Sequence, residues 1–335
     1  MPLARFQKVA IGALFSLLLL ILAGAVVRVS GAGMGCPDWP TCWGCLVPPT
    51  KLADVDFSKL QIQKFKDKAA REGRDPNTIT VETLRQEFNP RLAWTEYLNR
   101  LSSTPLSLFT LSAFILSFWE KKKRPIVFWI SFAAVVVLLV EAWMGARIVY
   151  SGLKPGIITT HLALAMAMFG LFMYSAWRGT DHPWRVKIAS GAAGKLRLSI
   201  LALLALVIAE GILGSQIREL TDEMAKTRHL GPGADRIALL EQTTIYLVHR
   251  SFSWSVLLAA LIAYTVSRRH GHPGRVAKTV LTLVWGQMAL GVIMSWVHLY
   301  AWVQVVHVAL AAILLSMTWL WLFGAWNPVP DPEEA

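Results

Sequence analysis

Apolar and polar positions are segregated along this chain rather than alternating. Apolar residues fill runs over 9–27, 98–118, 125–146, 157–177, 196–217, 243–265, 277–298 and 302–324, each close to the length a helix needs to cross a hydrocarbon core. The run 196–217 is apolar nearly all round, unlike a helix on the surface of a water-soluble domain. The pattern predicts an all-α polytopic membrane protein of eight transmembrane helices. The first run follows Arg5 and Lys8 as a secretory leader would. Its apolar part is longer than a leader's core and ends on Arg28 without a small-residue cleavage site, so an uncleaved first span is expected.

The connections give the orientation. Lys121 to Arg124, Arg178 to Arg197 and Arg268 to Lys278 are rich in Lys and Arg, which places them, and with them both termini, on the cytoplasmic side of a cell inner (plasma) membrane. The long segment 32–94 then lies outside. It opens with a Gly-Cys-Pro-Trp cluster over 31–49 and continues, over 57–88, with a charged stretch whose spacing permits a solvated amphipathic helix across the outer face. The tail 327–335, with its prolines and acids, reads as a short disordered end.

The chain also repeats itself. Gly24-Ala-Val-Val-Arg28 is echoed by Gly214-Ser-Gln-Ile-Arg218, Asn99-Arg100 by His249-Arg250, and His161-Leu-Ala-Leu-Ala by His307-Val-Ala-Leu-Ala. Four spans separate each pair, so two four-helix bundles in tandem are expected, related by a pseudo-two-fold along the membrane normal. The units are residues 1–180, with the outer loop 32–94, and residues 190–326.

Against that repeat, four positions stand out. Asn99, His161, His249 and His307 fall within about five residues of the outer start of an even-numbered span, hence within roughly 8 Å of one another in depth. Ionisable side chains at such depth are costly and need a partner or a task. His249 and His307, on two spans of one bundle, suit the two axial positions of a haem iron, and the second unit is expected to hold a haem. Arg28, Arg100, Arg147, Arg218 and Arg250 gather at outer span ends against the positive-inside trend. Haem propionates would offset that charge at the repeated positions Arg28, Arg100, Arg218 and Arg250, the other reading being arginines that reach lipid headgroups. In the first unit Asn99 stands where an imidazole is expected, so a haem there has His161 as its one strong ligand. Glu96, one turn from Asn99, puts a carboxylate beside that open position and is the candidate catalytic group, or else pairs with Arg100 or Arg91. Glu141 and Glu210 are further acids inside spans three and five, with no role assigned. His298 reads as interfacial, and His182, His229, His270 and His272 as solvated.

Composition narrows the reading further. Among 335 residues, 33 Lys and Arg against 21 Asp and Glu give a net charge of +12, but the basic run Lys121–Arg124 lies between two spans. The charge therefore reports topology, and no nucleic-acid surface is expected. The three cysteines, Cys36, Cys42 and Cys45, fall in the outer segment, where a Cys36–Cys42 bridge can form, with Cys45 free or as the alternative partner.

The run from Gly24 through Val-Arg-Val-Ser-Gly-Ala-Gly-Met-Gly-Cys36-Pro-Asp-Trp-Pro-Thr to Cys42 resembles the first-span signature of the membrane-bound haem A synthases, which oxidise the methyl group of haem O to the formyl group of haem A. Glu96, the His161 segment, His249-Arg250 and His307 extend the resemblance over nearly the whole chain. It implies haem b on His249 and His307, haem O as substrate in the first unit, Glu96 at the reactive end and Cys36 paired with Cys42. A haem O synthase or an electron-transfer protein is the expected partner, besides membrane lipid. The family pattern has a histidine where Asn99 stands, which removes two-histidine ligation of the substrate. The competing readings are a b-type electron-transfer cytochrome and a non-catalytic haem-binding assembly protein.

Overall fold

The computed structural model describes residues 3–71, 75–151, 156–227 and 236–330. These form α1 (Arg5–Val29), α2 (Ile62–Arg71), α3 (Val81–Glu87), α4 (Pro90–Leu101), α5 (Ser103–Glu120), α6 (Pro125–Tyr150), α7 (Ile157–Arg178), α8 (Ala193–Thr227), α9 (Arg236–Leu240), α10 (Thr244–Arg269), α11 (Arg275–Trp296) and α12 (Ala301–Trp326). Among the described residues short 3-10 turns and isolated bridges, and no extended strand, accompany them. Among the described residues eight spans are long and apolar enough to cross a membrane, one for each apolar run, with α4 and α5 together making the second. The protein is a multi-pass membrane protein.

The spans pack as two rings. In the first, α1 and α6 each contact both α5 and α7. In the second, α8 and α11 each contact both α10 and α12. Consequently α5 and α7 sit at opposite corners of one ring, and α10 and α12 at opposite corners of the other. The rings join where α12 meets α1 and α7, and where α8 meets α7. Phe169, Phe172, Leu203 and Trp321 lie at the centre of a single apolar core running through both. Large apolar side chains such as Trp119, Trp143, Trp296 and Trp302 remain on the outside, the arrangement expected where lipid rather than water is the surrounding solvent.

Segment 32–94 forms a cap over one end of the first ring. Two short helices, α2 and α3, replace the single solvated helix expected over 57–88, because the chain turns at Asp75-Pro76 and Thr80 starts α3 with a reciprocal cap on Thr83. Nor is the stretch merely solvated: Phe65, Ala69, Ile79 and Leu84 close a small core around Trp43 and the buried Cys36 and Cys42. The second span also begins further out than the apolar run suggests, at Pro90, where Asn89 accepts hydrogen bonds from the amides of Arg91 and Leu92. It breaks at Ser102, since Pro105 has no N–H to give the carbonyl of Leu101. The fifth span runs on to Thr227, well past the expected end at 217.

At the other end of the rings the backbone is tied by a few polar contacts. Ile188 N–H donates to the carbonyl of Val329 (3.1 Å) and Ala189 N–H to that of His270 (2.8 Å). The first residues of the tail are thereby pinned, contrary to the expected disorder, while 331–335 lie outside the described residues, as does His229. Arg124 bonds Asp181 at 2.6 Å and holds its carboxyl below the usual carboxylate range.

Candidate functional site

Local chain geometry builds the cap outward from Asp38. The turn Cys42-Trp43-Gly44-Cys45 places both central residues at positive φ, 55° for Trp43 and 75° for Gly44, and closes with paired backbone bonds between Cys42 and Cys45. A tryptophan in that region costs roughly 1–3 kcal/mol, so the surroundings must hold it. Asp38 does so: its carboxylate accepts the amides of Trp43 (2.7 Å) and Gly44 (2.8 Å) and the hydroxyl of Thr41. The Trp43 indole N–H donates to the carbonyl of Gly35 (2.7 Å). Gly35 must itself be glycine, since a Cβ there would lie 2.2 Å from the carbonyl oxygen of Leu92 on α4. Cys36 and Cys42 form a disulfide, and Cys45 is free.

Glu96 and Arg100, one turn apart on α4, join this cap to the first ring. Glu96 is buried; one oxygen accepts the Cys36 amide (2.7 Å) and the other the Arg100 guanidinium (2.5 Å). Arg100 also donates to the carbonyls of Cys36, Asp38 and Thr41. Its charge is therefore turned into the cap. Arg218 donates to Gln304 (2.7 Å) and to the backbone carbonyl of Arg28 (2.9 Å), tying the two rings together at the capped end. Arg250 is half-exposed, 3.7 Å from Glu241 and over the ring of Trp296. Arg147 stands over Tyr150.

The four polar positions singled out by the repeat do occupy opposite corners at the capped end. His249 lies on α10 and His307 on α12, the helices at opposite corners of the second ring. In the first ring Asn99 lies on α4, above the α5 corner, and His161 on α7, at the corner opposite. A Cβ on Gly214 would come 3.4 Å from the His249 imidazole, and one on Gly24 3.9 Å from the Asn99 amide oxygen. The two glycines thus hold matching places, each opening helix packing beside its partner.

Two acids that the sequence leaves without a role have partners here. Glu141 on α6 contacts Nδ1 of His161, and Glu210 on α8 lies 3.3 Å from Nδ1 of His249. On the other side of the second ring, the Gln287 amide donates to the backbone carbonyl of His307 (2.9 Å). One signal in the sequence does point to this: Glu141 precedes His161 by 20 positions, and Gln287 precedes His307 by the same 20. The rings are also coupled through α8, where Glu219 accepts the Thr159 hydroxyl (2.8 Å) and the Gly156 amide (3.0 Å) at the start of α7. That contact sits two residues from His161, at Thr159, and five residues beyond Gly214, at Glu219.

A family described as COX15-CtaA, cytochrome oxidase assembly protein, matches residues 7–319. The chain is similar to a haem A synthase of Caulobacter vibrioides, 24% identical over 319 residues and covering 89% of each chain. It is also similar to a haem A synthase of Shewanella oneidensis, 28% identical over 200 residues, which are 59% of this chain and 52% of the relative. A protohaem IX farnesyltransferase of Thermus thermophilus is 28% identical over 335 residues, taking in 95% of this chain and only 48% of that longer one. No solved structure matches. With eight spans, a capped first ring and a match over nearly its whole length, the chain belongs to the COX15-CtaA family of cytochrome oxidase assembly proteins.

Proposed function

We propose that this protein is a haem A synthase: it takes haem O as substrate in the first ring, oxidises a methyl group to formyl, and releases haem A for terminal oxidases. The second ring holds haem b as a resident group. The observation that carries the reading is the unequal pair of rings, with two imidazoles at opposite corners of one and a single imidazole opposite Asn99 in the other. Two strong ligands favour simple electron transfer, whereas an open position favours reaction.

Several features support a fit to porphyrin. Carboxylates stand against Nδ1 of His161 and His249, near enough to take an Nδ1–H although no hydrogen bond is formed there, which would leave Nε2 for ligation. Gly24 and Gly214 keep helix packing open at that level. The Asn99 amide oxygen is buried and takes no hydrogen bond among the described residues. Once bound, haem supplies the one-electron and oxygen chemistry that side chains lack.

The chain's own residues do the rest. His249 and His307 hold the resident haem, and His161 the substrate haem. Asn99, which is no strong iron ligand, would offer its buried amide as a hydrogen-bond partner. Arg28, Arg218 and Arg250 supply positive charge for propionates at the capped end, with Arg100 contributing through the cap. Glu96, the candidate catalytic carboxylate, has both oxygens engaged by Cys36 and Arg100, so its part is to fix the cap over the reactive end. The two rings repeat one another about a pseudo-two-fold, the cap lies outside, both termini are cytoplasmic, and the membrane is the cell's inner one. The Thermus relative is named for transferring a farnesyl group to protohaem IX, the kind of reaction that supplies haem O, which makes a haem O synthase the natural donor.

The test is extraction and mass analysis of haems from membranes expressing this chain with a source of haem O, beside a His161→Ala control. Haem A formed only with His161 intact is the expected result. Haem b alone, with haem O unconverted in folded protein, would overturn the enzyme reading in favour of a b-type cytochrome or a haem-carrying assembly protein.

A further inference from the structure

Acids within a membrane span are rare because a charge there is costly, and those that persist pair with another group. Glu141 and Glu210 sit in spans three and five, each largely buried, and each is directed at one imidazole. Neither belongs to the ring of polar positions repeated along the chain, which makes their distribution informative.

The repeat supplies an internal control for each acid. Glu210 precedes Gly214 by one helical turn, and Leu20 precedes Gly24 by the same step. Gly214 faces His249 and Gly24 faces Asn99. Where the imidazole is replaced by an amide, the acid is replaced by leucine, so the carboxylate accompanies the imidazole and not the helix position. Glu141 has the opposite counterpart. Its match, Gln287, is neutral, and its amide donates to the backbone of His307 at 2.9 Å rather than accepting from the ring. Each ring therefore has one imidazole backed by a carboxylate, on α7 in the first and on α10 in the second.

We propose that Glu141 and Glu210 are positioning residues that act through His161 and His249, fixing the Nε2 lone pair toward the ring interior and strengthening it as an iron donor. The proposal rests on the haem reading above. A carboxylate that accepts Nδ1–H selects one tautomer, orients the ring and makes the other nitrogen more basic. A more basic ligand stabilises ferric over ferrous iron. In the first ring the single imidazole is the strengthened one, so the donor opposite the open Asn99 position is as strong as this scaffold makes it. In the second ring strength is uneven, with His249 the strong partner and His307 the ordinary one.

Glutamine separates this role from plain packing, since it keeps the shape and an acceptor oxygen while removing the charge. Protein purified with haem b, and then loaded with haem O, is compared as wild type, Glu210→Gln and Glu141→Gln by haem content, redox titration and the iron–imidazole stretch of the ferrous form. The expected result for Glu210→Gln is full haem b content with a raised midpoint potential. For Glu141→Gln it is an unchanged haem b potential, with a lower iron–imidazole frequency in the haem O site. Wild-type potential and frequency in both variants at full haem content would overturn the proposal. Should Glu210→Gln lose haem, Glu141→Gln decides the matter: a lowered iron–imidazole frequency supports the proposal and an unmoved one overturns it. A wild-type protein that binds no haem at all would instead overturn the haem reading itself, and this proposal with it.

Discussion

In the second ring two imidazoles stand at opposite corners, His249 with Glu210 behind it and His307 beside Gln287. In the first ring His161, with Glu141 behind it, stands opposite Asn99, and a cap of about sixty residues covers that end. The scaffolds are the same four-helix ring, and what differs is how many strong ligands it presents and what is built over them. On the function proposed above, the ring with two imidazoles holds a haem permanently, and the ring with one, opposite a small amide, admits a haem, acts on it and lets it go.

The strongest way to break that comparison is to remove ligands from each ring in turn. His249→Ala or His307→Ala leaves one ligand in the second ring and is expected to lower haem b in the purified protein by tenfold or more, about 1.4 kcal/mol per decade of affinity. His161→Ala is expected to keep haem b and lose conversion of haem O. Haem quantitation beside product analysis checks both arms. Equal loss of haem b from all three variants would mean that the rings do not divide the work.

Making the rings alike is the next test. Asn99→His puts an imidazole opposite His161, and haem O in the first ring is expected to pass from a high-spin to a low-spin spectrum, with release slowed several-fold. Gly24 leaves room beside that side chain, its absent Cβ being 3.9 Å from the amide oxygen. Absorption and electron paramagnetic resonance spectra of the haem O-loaded protein report the change.

The cap distinguishes the rings in a second respect. Asp38→Ala removes the acceptor for two backbone amides and one hydroxyl around the strained Trp43. A loss of about 2–3 kcal/mol of cap stability is expected. Limited proteolysis within 32–94 is expected to quicken while the haem b spectrum stays unchanged, because the cap's core does not reach the second ring.

Much of this organisation can be read from residue order. Eight lipid-length runs define eight spans, and matching depths single out Asn99, His161, His249 and His307. These features are local, or repeat at fixed intervals. What depends on contacts between helices is harder to read. Glu141 and Glu210 show in the sequence only as buried acids, because their partners lie on neighbouring helices. The commitment of Glu96 and Arg100 to the cap depends on where Cys36 arrives after a turn that no periodicity describes. The burial of Phe65, Ala69, Ile79 and Leu84 likewise follows from the core around Trp43, which draws on residues from 36 to 93.

The finest distinction concerns space. Gly145 and Gly214 both lie inside helices, and alanine is favoured over glycine there by about 0.5–1 kcal/mol. Nothing lies within 4 Å of a Cβ placed on Gly145, so Gly145→Ala is expected to gain stability of that order and leave haem content alone. A Cβ on Gly214 would make ordinary contact with the His249 ring at 3.4 Å, so the protein alone has room for the methyl group as well. If the space beside Gly214 exists for the protein's packing, Gly214→Ala behaves as Gly145→Ala does. If it exists so that the imidazole can settle against Glu210 and meet an iron, the methyl group restricts the ring. Haem b retention during washing then falls by two- to five-fold despite the gain in helix propensity. The second outcome is expected, and thermal unfolding measured with and without haem separates the two: the apoprotein gains and the holoprotein does not.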